Sequence, residues 1–475
     1  MQTRLFSRVV CVSLVMAVVA CGREIDEAES HSPRSTQNTP LNAIYLRGNN
    51  GAPKGLASAN EVLVQYKVNV KNWDKKRIKD KIRGSRKDGV HSKSMKDKGE
   101  GEIELVELSV DQDLETVLEE LKNDPALEFA EPNFIYEHTA VSNDPLFVNG
   151  SLYGMYGNSS TPANTFGSQA GEAWTKKQVC KRNVYVGVID EGIMVNHEDL
   201  VGNIWVNPFD PVDGRDNDGN GFIDDTNGWD FAANDRSVFD GPSDDHGTHV
   251  AGTIGAKGRN GKGVAGICWS VTLISAKLLG QTGGSTFGAI RALDYFVDLK
   301  QRHGLNIVAT NNSWGGDGFS LSLKNAIERA NAAGILFVAA AGNGGSDGIG
   351  DNNDTTAFYP ASYTNTNIIS VAALNSRGLL TSFSNFGATS VDIAAPGSEI
   401  ISTVPSSSGT SAYLSMSGTS MATPHVTGAV ALFASLNPTA TAAQIKAAIL
   451  GKALPTPALT GKCVTGGRLN LGDFK

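Results

Sequence analysis

Three short stretches, far apart in the chain, hold the residues best suited to acid–base and nucleophilic chemistry. Ser420 lies in Ser417-Gly418-Thr419-Ser420-Met421-Ala422-Thr423-Pro424-His425, where the apolar-periodic run from Met421 to Leu436 predicts a buried helix. A serine at such a junction has two readings. It caps the helix with its hydroxyl, or it attacks a carbonyl where free N–H groups and the positive helix end stabilise developing negative charge. Asp190 ends Val184-Tyr185-Val186-Gly187-Val188-Ile189, a β-type run expected of a buried parallel strand, at whose carboxyl end functional groups gather. His246 and His249 stand in Asp244-Asp245-His246-Gly247-Thr248-His249-Val250-Ala251-Gly252. Two histidines three apart suit zinc, but no Glu lies between them and no third ligand is near. A general base held by a carboxylate fits better, with Asp190 orienting His246 and His246 deprotonating Ser420. His249 is then a packed, hydrogen-bonded histidine.

Taken together, Val-Ile-Asp-Glu-Gly around Asp190, His-Gly-Thr-His-Val-Ala-Gly around His246 and Gly-Thr-Ser-Met-Ala-Thr-Pro-His around Ser420 resemble the signature blocks of the subtilases. The Asp…His…Ser order is that of the family as well. The resemblance covers Asn143 to the C-terminus. It implies a serine endopeptidase that hydrolyses protein or peptide substrates on a three-layer α/β/α domain with a largely parallel sheet. It also matches Asn343, at the end of Gly334-Ile335-Leu336-Phe337-Val338-Ala339-Ala340-Ala341-Gly342, to the family's oxyanion-hole amide. Read without the family, Asn343-Gly344 is a turn. Ser313, Trp314 and Gly315 follow the Ile307–Asn312 run and match the segment that pairs with substrate backbone and lines the primary side-chain pocket. Ala340, Ala341 and Gly342 would form its other wall, and Trp314 reads equally as a pocket residue or as a core or rim aromatic. The alternatives on the same fold are an inactive surface protein, which calls for a broken set where all four residues are present, and a transferase-like one built on the same nucleophile. Against the latter, Ser420 favours hydrolysis over the cysteine that would favour transfer.

Between Asp190 and His246, Asp216-Asn217-Asp218-Gly219-Asn220-Gly221-Phe222-Ile223-Asp224 concentrates oxygen donors. The spacing follows the start of a calcium loop, with Asp216, Asp218, Asn220 and Asp224 as side-chain ligands and Phe222 at the carbonyl place. The twelfth place is Asn227 rather than Glu, so the loop departs from an EF-hand. Related subtilases bind calcium in this interval, and Ca2+ is the cofactor the resemblance implies. Gly344 to Asp354 is a second Asp/Asn/Gly-rich stretch without that spacing, read as a loop.

The elements that position these residues sit in a chain of 475 residues, long enough for two or three domains. Residues 1–21 read as an export signal: Arg4 and Arg8, an apolar run from Val9 to Val19, then Ala20-Cys21. The run is too short to span a bilayer. Val18-Val19-Ala20-Cys21 resembles a lipobox, so Cys21 is a candidate lipid anchor to a membrane, an ordinary secretory signal being the other reading. Residues 22–58 read as a disordered tether. Residues 59–138 predict a small α+β domain: strands near Val62–Val68 and Ile103–Val110, an amphipathic helix carrying Leu114, Val117, Leu118 and Leu121, and an extended tail from Leu127 to Tyr136. By resemblance this is an inhibitory propeptide, cut off by the enzyme itself, and residues 143–475 form the peptidase domain. The basic run from Lys71 to Lys98 is interrupted by aspartates and lacks aromatic interleaving, and the net charge is -8. Both features argue for a solvated face and against a nucleic-acid partner. Among the five cysteines no CxxC pair exists, and Cys180 with Cys463 is one candidate bridge that spacing alone cannot establish.

Overall fold

The computed structural model describes residues 43–47, 53–109, 111–134, 142–280 and 282–474. The export segment, Cys21 and the tail residues 135–138 lie outside them. The chain divides into two compact units, Met1–His138 and Thr139–Lys475.

In the first unit the Pro53–Tyr66 strand pairs antiparallel with Ala43–Arg47, Ile103–Leu108 and Leu127–Phe134, and Gly84–Val90 adds to Ile103–Leu108. Period-two alternation turns Val62, Val64 and Tyr66, with Val106 and Leu108, toward one face. Ile78 from the Asn72–Lys81 helix and Leu114, Val117 and Leu121 from the Leu114–Leu121 helix complete that core. The stretch read as a tether therefore ends earlier than residue 58. Ladder hydrogen bonds, rather than apolar alternation, recruit Ala43–Arg47 and the start of Pro53–Tyr66. The basic run is paired locally, in Lys75–Glu102 at 2.5 Å, Lys79–Glu104 at 2.7 Å and Arg77–Asp124 at 2.9 Å.

In the second unit the described residues form a nine-stranded sheet. Its centre runs Ile393–Pro396, Ile368–Leu374, Leu336–Ala340, Ile307–Asn312, Tyr185–Asp190, Thr272–Lys277 and Gly228–Asp230, all parallel. Both faces are covered, which is why these strands read as unbroken apolar runs. Val186, Val188, Leu336 and Val338 point to one face, against the Asp245–Gly255 and Thr419–Leu436 helices. Ile189, Phe337 and Ala339 point to the other, against the Thr286–His303 and Leu321–Ala332 helices. The result is the three-layer α/β/α arrangement expected from the sequence.

Cys180 bonds to Cys268, not to Cys463, which is buried and free. Cys268 follows the Asp245–Gly255 helix, and the segment after that helix lies close enough to Trp174 for its indole to donate to the Ile267 carbonyl at 3.0 Å. Cys463 instead sits in a separate apolar cluster with Val391 and Leu459. Closing an 88-residue separation constrains the unfolded chain by about 4–5 kcal/mol in the loop-entropy account. Reductant, or Cys180→Ser, should therefore lower the urea midpoint by an amount of this order. Cys463→Ala should leave the response to reductant in place. Identical unfolding curves for oxidised and reduced protein would show that the bridge adds nothing to stability.

Candidate active site

Asp190 closes its strand at the carboxyl edge of the sheet and is fully buried. Its Oδ1 accepts from Glu191 N at 2.8 Å and lies 2.7 Å from His246 Nδ1. A carboxylate only accepts, so Nδ1 carries a proton, and in the neutral imidazole Nε2 keeps its lone pair. His246 is near the start of the Asp245–Gly255 helix, whose approach to the strand depends on Gly247. A Cβ there would lie 2.2 Å from the Gly192 carbonyl and 3.2 Å from Asp190 Cβ. Glu191 holds the same helix from outside: its Oε2 accepts from His246 N at 3.2 Å, a contact the N-cap residue Asp244 does not supply with its own side chain. Nothing in the sequence pattern singled out Glu191 beyond its place directly after Asp190.

Burial works to lower the pKa of His246. The charge of Asp190 and the hydrogen bond to it, with Glu191 and Asp245 adding, outweigh burial and push the imidazole up to about 9. His249, three residues on, is buried with Nε2 facing the Ile400 and Leu414 carbonyls at 2.9 and 3.1 Å. Burial pulls it down to about 4, and it is the packed histidine the sequence suggests.

Ser420 begins the Thr419–Leu436 helix. Its hydroxyl donates to the Ser313 carbonyl at 3.2 Å, and the Ser313 hydroxyl donates back to the Ser420 carbonyl at 2.9 Å. Pro424 explains the second bond. In a regular helix the Ser420 carbonyl would accept from the N–H four residues on, and proline has none. The other early N–H groups are spoken for: Thr419 N by Asn343 Oδ1 at 2.8 Å, Met421 N and Ala422 N by the Gly418 carbonyl. Ser420 N is left without a partner among the described residues. Because Thr419 N and Thr419 Oγ1 both hold Asn343 Oδ1, the exposed Asn343 side chain presents its NH2 to the open side. The Asn343-Gly344 step is also a turn, with Gly344 at φ +72.

Ser313, Trp314 and Gly315 leave the Ile307–Asn312 strand beside Ala340, Ala341 and Gly342, which end the neighbouring parallel strand. Trp314 is half-buried, edge-on to Phe337 with ring centroids 6.3 Å apart. It also lines a cavity of about 410 Å³ with Leu279, Leu323 and Tyr359.

The Asp-rich loop departs from expectation at one position. Asp224 is turned away: Oδ1 accepts from Asp213 N and Gly214 N, and Oδ2 pairs with Arg236 at 2.7 Å. Asp225 faces inward in its place. Its Oδ2 accepts from Asn220 Nδ2 at 3.0 Å and Tyr295 OH at 2.6 Å, and burial pushes its carboxyl up to about 6. Asp216 and Asp218 accept from the Asn220 and Gly221 N–H groups, and Phe222 packs its ring on Trp229 and Tyr295. Among the described residues no three His, Cys, Asp or Glu side chains are arranged to hold a metal ion. The oxygen-only donor set suits a hard cation in chemistry, while the geometry is closed by the loop's own N–H donors.

Residues 181–467 match the model of the subtilase family, and residues 49–133 match the fervidolysin N-terminal prodomain. A thermophilic serine proteinase of Bacillus sp. (strain AK1) is 32% identical over 383 residues, 80% of this chain and 79% of that one. An extracellular protease of Xanthomonas campestris pv. campestris is 34% identical over 371 residues, 74% of this chain and 60% of that one. Among solved structures, a protease from Pseudoalteromonas arctica superposes with a TM-score of 0.53 at 27% identity, covering 70% of this chain and 96% of that one.

The acidic surroundings of His246 have a measurable consequence. The folded state favours the imidazolium, so this contribution to stability is full below about pH 6.5 and is lost as pH rises through about 9. Imidazole NMR should show His246 titrating well above an ordinary histidine. Glu191→Gln keeps an oxygen for His246 N and removes one charge, and should bring the midpoint down. A wild-type midpoint at the ordinary histidine value would contradict the electrostatic explanation.

Proposed function

The chain belongs to the subtilase family of serine proteases, with an N-terminal prodomain, and from that premise we propose an exported, self-processing endopeptidase acting through Asp190, His246, Ser420 and Asn343. Ser420 Oγ attacks the scissile carbonyl while His246 Nε2 takes its proton, later returned to the leaving amine. Water then releases the acyl group by the same route. Asp190 fixes the tautomer and balances the imidazolium. Ser420 N and the Asn343 NH2 receive the oxyanion. The observation that carries this reading is the 2.7 Å Asp190–His246 bond, which leaves Nε2 as the basic nitrogen. The Ser420 hydroxyl has to rotate off the Ser313 carbonyl to meet it, a movement common between resting and substrate-bound sites. Substrate backbone would pair along Ser313-Trp314-Gly315 as an added strand, opposite Ala340-Ala341-Gly342.

Export is supported by the Cys180–Cys268 bridge, which suits an oxidising compartment, and Cys21 is the proposed lipid anchor. The propeptide would be cut between about Tyr136 and Asn143. Calcium is our reading of the Asp-rich loop, with Asp216, Asp218, Asn220 and Asp225 as the side chains that would hold it. Burial, and after it repulsion from Asp210 and Asp216, raises the carboxyl of Asp218. A bound ion would offset that repulsion and tie the loop down.

Ser420→Ala should abolish peptidase activity and fluorophosphonate labelling with the thermal midpoint unchanged, and the purified protein should keep its propeptide. Normal processing of that variant, with no other protease present, would rule out self-cleavage. Lack of labelling in wild type would favour an inactive binding protein. Asn343→Ala should lower kcat by roughly 10²–10³-fold, the loss seen when a subtilisin's own oxyanion amide is removed.

Calcium should raise the melting temperature and chelator lower it, since a ligand bound only by the native state stabilises it by mass action. Asp218→Ala should abolish the difference. Equal melting with calcium and chelator would leave the loop held by its hydrogen bonds alone.

A further inference from the structure

One aromatic ring touches both glycines of the segments assigned to substrate. A Cβ on Gly315 would lie 2.3 Å from Cε1 and 2.7 Å from Cζ of Phe358, and one on Gly342 would lie 3.1 Å from its Cδ1. The ring therefore spans from one wall of the primary side-chain pocket to the other. Its backbone is pinned beside the first wall. Tyr359, the next residue, exchanges both backbone hydrogen bonds with Gly316, at 2.7 and 2.8 Å, and Phe358 N donates to Ser362 Oγ at 3.1 Å. The second wall is backed from behind. Asn385 Nδ2 would be 2.5 Å from a Cβ on Gly342, and Asn385 is fixed by its 3.0 Å bond to Asn353, which donates to the Ala341 carbonyl at 2.8 Å. Each segment is thus braced by its own set of bonds, and Gly342, at φ +110, accepts no other residue without strain.

We propose that Phe358 determines specificity by filling the primary pocket, so that the residue whose carbonyl is attacked must be Gly, Ala or Ser. This rests on the assignment of Ser313-Trp314-Gly315 and Ala340-Ala341-Gly342 as the pocket walls. The two glycines alone describe an open slot able to take a large flat side chain between two bare stretches of backbone. Phe358 is half-buried there, with its ring against both glycines. A phenylalanine from substrate would have to push the ring into solvent, losing its apolar contacts, or overpack the slot. Single-methylene differences in such pockets already discriminate 10-fold or more, so a clash of ring with ring should cost at least about 10-fold.

The test uses the mature enzyme and two peptides identical except for Ala or Phe at the residue before the scissile bond. kcat/KM is normalised to active sites titrated with a fluorophosphonate. Wild type should prefer the Ala peptide by about 10-fold or more. Phe358→Gly should raise kcat/KM for the Phe peptide by at least that factor, mainly through KM, and reverse or abolish the Ala/Phe preference. Phe358→Val supplies an intermediate opening should the glycine variant not fold. Wild type that prefers the Phe peptide, or variants that titrate fully with an unchanged Ala/Phe ratio, would overturn the inference while leaving the catalytic reading intact. A wild-type enzyme that takes up no probe would overturn both.

Discussion

A helix that starts at the carboxyl edge of a parallel sheet brings backbone N–H groups that find no acceptor inside the helix. At the Thr419–Leu436 helix this molecule satisfies all but one of them near the start. Asn343 takes Thr419 N, the Gly418 carbonyl takes Met421 N and Ala422 N, and Ser420 N remains. The carbonyl freed by Pro424 is handed to Ser313. The same arrangement joins the ends of two strands to one helix: Ser313 follows the Ile307–Asn312 strand, Asn343 follows Leu336–Ala340, and Thr427 Oγ1 bonds Asn311 Oδ1 deeper in, at 2.8 Å. A free donor beside an exposed amide is thus a product of the fold's own hydrogen-bond accounting, before any substrate is considered.

The electrostatics of the neighbouring strand are as lopsided. Asp190, Glu191, Asp244 and Asp245 crowd one helix start, where negative charge is favoured by the free N–H groups. Lys277, almost wholly buried, balances them by bonding Asp244 at 2.8 Å and the Glu191 carbonyl at 2.6 Å. His246 is the remaining cationic centre of the group. Its raised pKa and its short bond to Asp190 have one cause, a cluster of carboxylates with few counter-charges. That cluster helps hold a charged imidazolium, the form general-base chemistry produces, and a resting imidazolium must first lose its Nε2 proton before it can act as the base.

The pocket and the Asp-rich loop illustrate a different limit. In both, side chains distant in sequence decide what a local motif can do. Gly315 and Gly342 are bare backbone by composition, and the Phe358 ring lies against both of them. Asp224 stands at a ligand place by spacing, and Arg236 with two backbone N–H groups claims it, so that Asp225 turns inward.

What the chain determined by itself is whatever depends on local period and residue chemistry. Buried strands such as Tyr185–Asp190 and Ile307–Asn312, and the Leu114–Leu121 helix, were legible because unbroken apolar runs and an i, i+3, i+4, i+7 stripe state their burial directly. The family was legible because three chemically demanding blocks leave few alternatives for Asp190, His246 and Ser420. Gly84–Val90 was not, since it is an exposed strand with no alternation, formed because Ile103–Leu108 offers it a free edge. Nor was the Cys180–Cys268 pairing, which requires knowing that the turn after the Asp245–Gly255 helix returns to the start of the domain. Glu191 as a cap for another element's helix, Asp225 in place of Asp224 and Phe358 against both Gly315 and Gly342 share that character. Each rests on the approach of segments far apart or on the direction of one side chain, and only tertiary packing sets those directions.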